Sequence, residues 1–258
     1  MALDSDTLQQ LLRTLESFVQ ERLIPLEVQV ADEDQIPESL IAEMRSMGLF
    51  GMTIPEEYGG LGLGTEEECR AVRVLGYTAP AFRSIIGTNN GIGSQGIVMD
   101  GTAAQRAHYL PRMASGEIIG SFALTEPDAG SDSGAVKTSA RRDGDWFVLN
   151  GTKRYITNAP RAQVFTVFAR TNPAESGARG VTAFLVDANT PGISLGKPYR
   201  KMGQQGAHVC DVIFEDVRVP AENIIGEEGE GFRCGTGPFA RSDLHGLPGD
   251  GESRGAPR

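Results

Sequence analysis

The sequence predicts an α+β fold, in which an all-helical N-terminal domain precedes an antiparallel β-barrel or sandwich domain and a short irregular C-terminal tail. Three observations support this fold class. In the first part of the chain, apolar residues recur every three to four positions, as on one face of a helix. From Ser121 they alternate with polar residues in short runs separated by turns. After Phe232 neither period continues, so we expect domains over 1–120, 121–228 and 229–258.

Two amphipathic helices are predicted at the start of the N-terminal domain. Over residues 6–24, leucine and valine residues form one apolar stripe. Pro25 should end this helix, because proline has no N–H for the hydrogen bond that the next turn needs. A second helix is expected to begin near Pro37, a residue favoured in a first helical turn, and to end at Gly48, which suits a C-terminal cap.

Capping boxes predict two more helices. In this motif a Ser or Thr side chain caps the helix start, and a Glu or Gln three positions later bonds back to it. Thr65 and Glu68 have this spacing, and so do Thr102 and Gln105. The second pair predicts a short helix that ends near Pro111. Together these patterns make residues 1–120 helical.

A glycine-rich segment, Gly91 to Gly96, matches the dinucleotide-binding pattern G-x-G-x-x-G. That fingerprint requires a buried strand before it, a helix after it and an acidic residue about 20 positions later. Asn89 and Asn90 interrupt the approach, and the residues before them do not resemble a strand. We therefore expect small residues that let helices pack closely rather than a nucleotide site.

The second domain is predicted to consist of short strands joined by tight turns. Asp143-Gly144 and Asn150-Gly151 are both typical of two-residue hairpin turns. Further strands are expected over 164–169, 181–186, 193–195 and 209–214. Many short strands separated by turns favour a compact antiparallel barrel or sandwich.

Composition excludes several classes of function. A net charge of −10 argues against non-specific nucleic-acid binding and gives no reason to expect an anionic membrane partner. No apolar run approaches the ~18 residues of a membrane span, and the acidic N-terminus lacks a secretory signal. The chain has three cysteines, Cys69, Cys210 and Cys234, which are widely spaced and favour reduced thiols in a cytoplasmic protein.

No other catalytic motif competes for the function. The histidines His108, His208 and His245 lie in separate segments without metal-ligand spacing, so no metal site is expected. The sequence contains neither a G-x-S-x-G nucleophile elbow nor a P-loop. These negatives favour chemistry that a cofactor carries.

Two segments form the candidate site. The first begins as an apolar strand, Ser121 to Leu124, and breaks at Pro127 into a turn-rich loop. Such a junction leaves N–H groups unpaired at a sheet edge, where the polar edge of a flat cofactor can bind. The second segment, residues 153–158, reads as a strand with Tyr155 and Thr157 on the same face.

These segments carry a family resemblance. The run FALTEPDAGSD, residues 122–132, closely resembles the flavin-binding signature T-E-P-x-A-G-S-D of the acyl-CoA dehydrogenase family. Residues 153–158 resemble that family's W-I-T-N segment, with Tyr155 in place of Trp, and Asp128 stands where many relatives carry Gly. The resemblance extends over residues 5–232. It implies an FAD-dependent enzyme that oxidises an acyl-CoA thioester to its α,β-unsaturated product, with hydride passing to flavin N5.

The resemblance also implies which residues bind the cofactor. Backbone N–H groups near Leu124 and Thr125 would face the pyrimidine edge, and the Thr157 hydroxyl would lie near N5. Ser131 would touch cofactor or substrate. The full implied set is Phe122, Leu124, Thr125, Ser131, Tyr155, Ile156 and Thr157.

The catalytic base is expected outside the recognisable domains. The family supplies it as a Glu from a C-terminal helical domain, which also provides much of the FAD adenine site and the subunit interface. After Phe232 that domain is not recognisable, and the one Glu left, Glu252, lies in a glycine-rich setting. We therefore expect an incomplete, inactive fragment. A homo-oligomer and an electron-transfer flavoprotein or similar acceptor are family partners.

Two alternatives stay open. The same scaffold could serve a flavin oxidase or monooxygenase, in which oxygen takes the electrons, and rapid oxygen consumption by the reduced protein would identify it. The chain could also be a non-catalytic remnant, as its tail suggests. A colourless purified protein would favour the remnant.

Overall fold

The computed structural model describes residues 4–233, and the expectations for Glu252 and for most of the 229–258 tail lie outside this range. The described residues of the N-terminal half form seven α-helices. They are α1 Ser5–Phe18, α2 Glu27–Glu33, α3 Glu38–Ser46, α4 Thr65–Leu75, α5 Pro80–Asn90, α6 Gln95–Asp100 and α7 Ala103–Ala114. None of the helices described is long and apolar enough to cross a membrane.

The first helix is capped and amphipathic, as its pattern predicts. The Asp4 carboxylate accepts hydrogen bonds from the N–H groups of Asp6 and Thr7, both at 3.0 Å, and leucines of one face are buried. Pro25 does not end the helical path. The chain continues through a π-helical turn, Val19–Leu23, and a 3₁₀ turn, Ile24–Leu26, into α2. Proline is accepted there because it lies in the first turn of a new segment.

The two predicted capping boxes have different outcomes. Thr102 and Gln105 form theirs: Thr102 N–H donates to Gln105 Oε1 at 2.9 Å, and Gln105 N–H donates to Thr102 Oγ1 at 3.2 Å. The box of α4 lies one residue earlier than predicted, because the Glu67 carboxylate accepts from Gly64 N–H at 2.7 Å. The α7 helix also runs through Pro111 to Ala114 instead of ending near the proline.

The glycine-rich segment follows a helix rather than the strand that the dinucleotide fingerprint requires. It leads from α5 directly into α6. Gly93 N–H donates to Thr88 O at 2.8 Å, and a Cβ at Gly93 would lie 2.6 Å from that same oxygen. Glycine is required here because the chain turns tightly against the end of α5.

Within the part of the chain that the structure describes, eight strands follow and form one sheet. They are β1 Gly120–Ala123, β2 Ser139–Asp143, β3 Trp146–Thr157, β4 Val164–Arg170, β5 Val181–Asp187, β6 Ile193–Leu195, β7 Val209–Pro220 and β8 Ile224–Ile225. The order is β6-β7-β3-β2-β4-β5-β8, and β1 pairs with β4. The α+β class is confirmed. The sheet is mixed rather than wholly antiparallel, because β1 runs parallel to β4 and β2 meets β4 in parallel at one residue pair.

One of the two predicted hairpin turns is wrong. Asp143-Gly144 lies at the β2–β3 hairpin, with Gly144 at φ +63°. Asn150-Gly151 instead lies inside β3, where the register against β7 shifts between Leu149 and Gly151. The Asn150 side chain pairs with the bulged Asp216, donating to its carboxylate at 3.0 Å and accepting from its N–H at 2.9 Å. The side-chain pair stabilises a bulge where the sequence suggests a turn.

Apolar packing joins the helices to the sheet. One buried cluster is formed mainly by the helices and another by the strands. A third contains residues of both, including Leu110 and Met113 from α7 and Phe168 and Leu185 from β4 and β5. The helices therefore hold the start of β1, which leads into the candidate site, against the sheet.

Candidate functional site

The structure brings the two candidate segments together. The backbone N–H of Arg154, near the end of β3, donates to Thr125 O at 2.7 Å, just beyond the end of β1. The Ser121 hydroxyl on β1 donates to the backbone oxygen of Thr157. Residues that are about thirty positions apart in sequence are thus brought together where β1 and β3 end.

A β-bulge shapes the end of β3. Lys153 pairs with Val212 and Ile156 with Cys210, so two residues, Arg154 and Tyr155, face a single residue of β7. Tyr155 takes a left-handed conformation, with φ +58°, which is uncommon for an aromatic residue. Its side chain is 59% exposed. The bulge therefore presents a flat aromatic surface to the outside of the sheet.

Tyr155 and the two residues that follow it have different environments. The Tyr155 ring packs against the Tyr199 ring, with centroids 4.9 Å apart. Ile156 is buried in the apolar core of the sheet, so any contact of Ile156 with a ligand at the surface would involve its backbone. Thr157 is partly exposed. Its hydroxyl makes no hydrogen bond to any residue in the range 4–233 and is free for a ligand.

β1 and the loop after it contribute further groups to the candidate site. Phe122 is partly buried and packs on Phe168, with ring centroids 5.0 Å apart. Leu124 and Thr125 are also partly exposed, and Ser131 is exposed further along the loop. Within the part of the chain that the structure describes, the Thr125 N–H donates no hydrogen bond. An unpaired N–H thus lies at the sheet edge, next to the Thr125 carbonyl that binds the β3 bulge.

A buried ion pair, which sequence reasoning missed, lies beneath the loop. Lys153 Nζ is 2.7 Å from Glu126 Oε1, and neither side chain is more than 5% exposed. Lys153 Nζ also donates to Leu124 O at 3.1 Å. The Glu126 carboxylate accepts two backbone N–H groups as well, from Lys137 at 2.6 Å and Thr138 at 2.9 Å. Both charges are therefore compensated inside the protein.

Burial and pairing change the pKa values of this ion pair. Burial lowers the pKa of Lys153 to about 8, although the neighbouring Glu126 charge opposes the change. Burial alone would raise the pKa of Glu126, but the attraction of Lys153 and the hydrogen bonds outweigh it and lower that pKa. At neutral pH both groups remain charged. The alternation of β3 could have identified Lys153, because it shares an inward-facing period with Phe147 and Leu149.

Asn158, the last residue of the second motif, was also not predicted to have a structural role. It has a left-handed conformation, with φ +62°. Its amide donates to Ser84 O and to Thr88 Oγ1, both at 2.9 Å, on helix α5. Asn158 therefore joins the end of β3 to the helical domain and fixes the position of the preceding Thr157.

A sizeable cavity lies elsewhere in the structure. Its volume is about 980 Å³, and it is lined by residues of α7, β5 and β7, including Asp187 and Arg218, and by Trp146 at the start of β3. None of the seven predicted cofactor residues lines it. The candidate site lies instead where the ends of β1 and β3 meet. Among residues 4–233, no group of His, Cys, Asp and Glu side chains is arranged to hold a metal ion.

Known proteins resemble this chain in sequence and in fold. The model of the acyl-CoA dehydrogenase N-terminal domain matches residues 5–117, and that of the middle domain matches residues 121–217. Acryloyl-CoA reductase (NADH) of Anaerotignum propionicum is 43% identical over 228 residues, which cover 87% of this chain and 57% of that protein. The human mitochondrial short-chain specific acyl-CoA dehydrogenase is 40% identical over 228 residues, which cover 88% of this chain and 55% of that protein. The chain thus spans about half the length of these relatives.

A solved structure agrees with the sequence comparisons. The crystal structure of an acyl-CoA dehydrogenase complexed with FAD, from Bacillus anthracis, has a TM-score of 0.79 to this chain at 34% identity. The match covers 88% of this chain and 38% of that one. Because consecutive domain models match in order and the fold is shared, this chain belongs to the acyl-CoA dehydrogenase family, of which it carries the N-terminal and middle domains.

Proposed function

We propose that this chain provides the flavin-facing part of an FAD-dependent acyl-CoA dehydrogenase. The observation that carries the proposal is the junction of β1 and β3. It places the free Thr125 N–H, the free Thr157 hydroxyl and the exposed ring of Tyr155 along one sheet edge. A flat heteroaromatic ring with a polar edge needs these three kinds of contact. The relative solved with FAD supports the choice of cofactor.

Each predicted residue has a role that its environment allows. FAD, when bound, supplies the acceptor for the hydride that leaves the β-carbon of the acyl chain. The N–H groups of Leu124 and Thr125 would bind the polar edge of the ring, and the Thr157 hydroxyl would donate near N5. Tyr155 would lie along the ring, whereas Ile156 would contribute its backbone. The two remaining residues are Phe122, which supports the β1 exit, and Ser131, which would contact cofactor or substrate.

The base that removes the α-proton must come from another part of the protein. Of the three carboxylates in the first motif, Glu126 is buried and paired with Lys153, so it has no route to a substrate proton. We propose that a Glu outside the described residues acts as the base, as the family resemblance implies. The 258-residue chain alone should then bind flavin weakly and not turn over. The domains that we propose span 1–120, 121–228 and 229–258.

The direction of the reaction and the electron acceptor belong to the same proposal. One relative is named a reductase and another a dehydrogenase, and both names describe chemistry on an acyl-CoA. An electron-transfer flavoprotein or similar acceptor would oxidise the flavin of a complete, cytoplasmic enzyme of fatty acid metabolism. The homo-oligomer that the family forms is not proposed for this chain alone, because much of the family's subunit interface belongs to the C-terminal domain. A flavin oxidase would differ by reacting rapidly with oxygen.

A flavin titration of the full 258-residue chain tests the proposal. Thr157→Val removes the hydroxyl while nearly keeping the side-chain shape, and its FAD affinity, followed by flavin fluorescence, should fall by about two- to tenfold, as expected for one hydrogen bond. Thr152→Val is the matched control, because Thr152 is also a partly exposed threonine of β3. The control should bind FAD as the wild type does.

The same titration can overturn the proposal. If the wild type does not bind FAD even at high flavin concentration, this chain does not provide a flavin-facing edge by itself. If FAD binds but Thr157→Val and Thr152→Val have equal affinities, the assignment of Thr157 is wrong. Sustained oxidation of acyl-CoA by the chain alone would contradict the proposed location of the base.

A further inference from the structure

The buried Lys153–Glu126 pair connects three chain segments around the candidate site. Lys153 belongs to β3, one residue before the bulge that exposes Tyr155. Its Nζ binds Leu124 O at the exit of β1 and Glu126 in the loop. Through the Glu126 carboxylate the same network reaches the backbone N–H of Thr138, just before β2. The Lys153 ammonium group on the sheet thus forms hydrogen bonds with two residues of the loop segment, Leu124 and Glu126.

The hydrogen bonds of the loop itself are few. Glu126 and Ala129 exchange two backbone bonds, at 2.9 and 3.3 Å, which close a short turn around Pro127. The Thr125 carbonyl accepts from Arg154 N–H. The conformation of residues 124–131 therefore depends on the buried side-chain pair beneath it.

Stability alone is a weak explanation for this pair. Burying two charges has a desolvation penalty that can equal or exceed their attraction, and apolar replacements are often neutral or stabilising. The Lys153 ammonium instead satisfies a backbone carbonyl at the very point where the chain leaves β1. A directional group with several hydrogen-bonding partners orders a loop in a way that an apolar side chain does not.

We propose that Lys153 and Glu126 are positioning residues, which hold residues 124–131 in the conformation that receives the isoalloxazine edge of a flavin. This inference rests on the proposed function. Neither side chain would touch the cofactor, because both are buried beneath the loop. They act through the backbone of Leu124 and Thr125, whose N–H groups must point away from the sheet to bind the ring.

Amide hydrogen exchange on the full chain without flavin tests the positioning role directly. Within residues 124–131, Lys153→Met should speed exchange of the hydrogen-bonded amides of Glu126 and Ala129 by about tenfold or more, because removing one partner of a buried pair leaves an uncompensated charge. Lys137→Ala is the matched control. Lys137 pairs with Asp128 of the same loop at 3.3 Å, but both side chains are more than 70% exposed. In the control, the exchange rates of residues 124–131 should remain within about twofold of those in the wild type.

A double variant separates positioning from stability. Lys153→Met combined with Glu126→Gln removes both charges and should recover most of the global stability that the single change loses. Exchange in residues 124–131 should stay fast in the double variant, and its FAD affinity should stay about tenfold below that of the wild type. If exchange and affinity both return with global stability, the pair is only structural and the inference is wrong.

The two proposals can fail separately. If the wild type does not bind FAD, the proposed function fails, and exchange without flavin still decides whether the pair orders the loop. If FAD binds but Lys153→Met exchanges no faster in residues 124–131 than Lys137→Ala, the positioning role is refuted. If Lys153→Met does not fold, the double variant provides the same comparison.

Discussion

The side-chain amide of Asn158 donates a hydrogen bond to Thr88 Oγ1 at 2.9 Å, across the boundary between the sheet and the helices. Asn158 lies at the end of β3 and Thr88 in helix α5, and both are buried. A second bond from the same amide reaches Ser84 O. The position of the preceding Thr157 therefore depends on the packing of the helical domain.

Replacing Asn158 should lower stability for two separable reasons. Asn158→Ala loses the bonds to α5 and forces an alanine into the left-handed conformation, so we expect a loss of about 2–4 kcal/mol in the free energy of unfolding. Asn158→Gly loses the same bonds but accepts the conformation, so its loss should be about 1 kcal/mol smaller. Urea denaturation measures both. Equal losses would show that the backbone conformation contributes nothing.

The buried ion pair predicts a pH-dependent stability difference. The wild-type pKa of Glu126 is lowered, so the stability from this carboxylate is present above its unfolded pKa and is lost as pH falls through the folded value. In Lys153→Met burial remains without the opposing charge, and the pKa of Glu126 should rise. The folded variant then binds more protons than the folded wild type in mildly acidic solution.

The free energy of unfolding of the wild type should therefore exceed that of Lys153→Met by an amount that increases as the pH rises from about 4 to about 7. At neutral pH it should reach about 3–5 kcal/mol, as for other buried pairs that lose one partner. Denaturation in urea across this pH range, with Lys137→Ala as control, checks the slope. A difference that is constant or that shrinks with rising pH would contradict the assigned pairing.

Tyr155 should show opposite effects on stability and on binding. Its left-handed conformation is strained, and its ring is mostly exposed, so Tyr155→Gly should leave the free energy of unfolding unchanged or raise it by up to about 1 kcal/mol. FAD affinity should fall, because the flat surface is lost. Gln204→Gly is the control, since Gln204 is exposed and also has φ +58°. Fluorescence titration would contradict the role of Tyr155 if both variants bound FAD equally.

Local patterns predicted the elements whose stability is mainly local. The apolar stripe of α1 and the capping box of Thr102 and Gln105 depend on residues within a few positions of each other. The prediction at Pro25 was wrong because a proline that begins a new turn is compatible with a continuing helical path. The Asn150-Gly151 prediction was wrong because Asp216, which is distant in sequence, binds Asn150 and converts the expected turn into a bulge.

The candidate site was predicted only in part, for a similar reason. The two motifs identify the segments, and the structure shows that they are adjacent. The bulge at Tyr155 and the burial of Ile156 depend on pairing with β7, about fifty residues later. The alternation of β3 indicates that Lys153 faces inward, but its partner Glu126 is identified only by the structure. Partners that are distant in sequence decide which groups face a ligand.

We propose that the β1 exit and the β3 end together form the flavin-binding site. Amide hydrogen exchange of the full chain, compared with and without FAD, tests this proposal most directly. We expect FAD to slow exchange in residues 122–131 and 153–158, most clearly at Thr125, while exchange around the cavity of Trp146 and Arg218 stays unchanged. Protection at that cavity, with none at the two segments, would contradict the account.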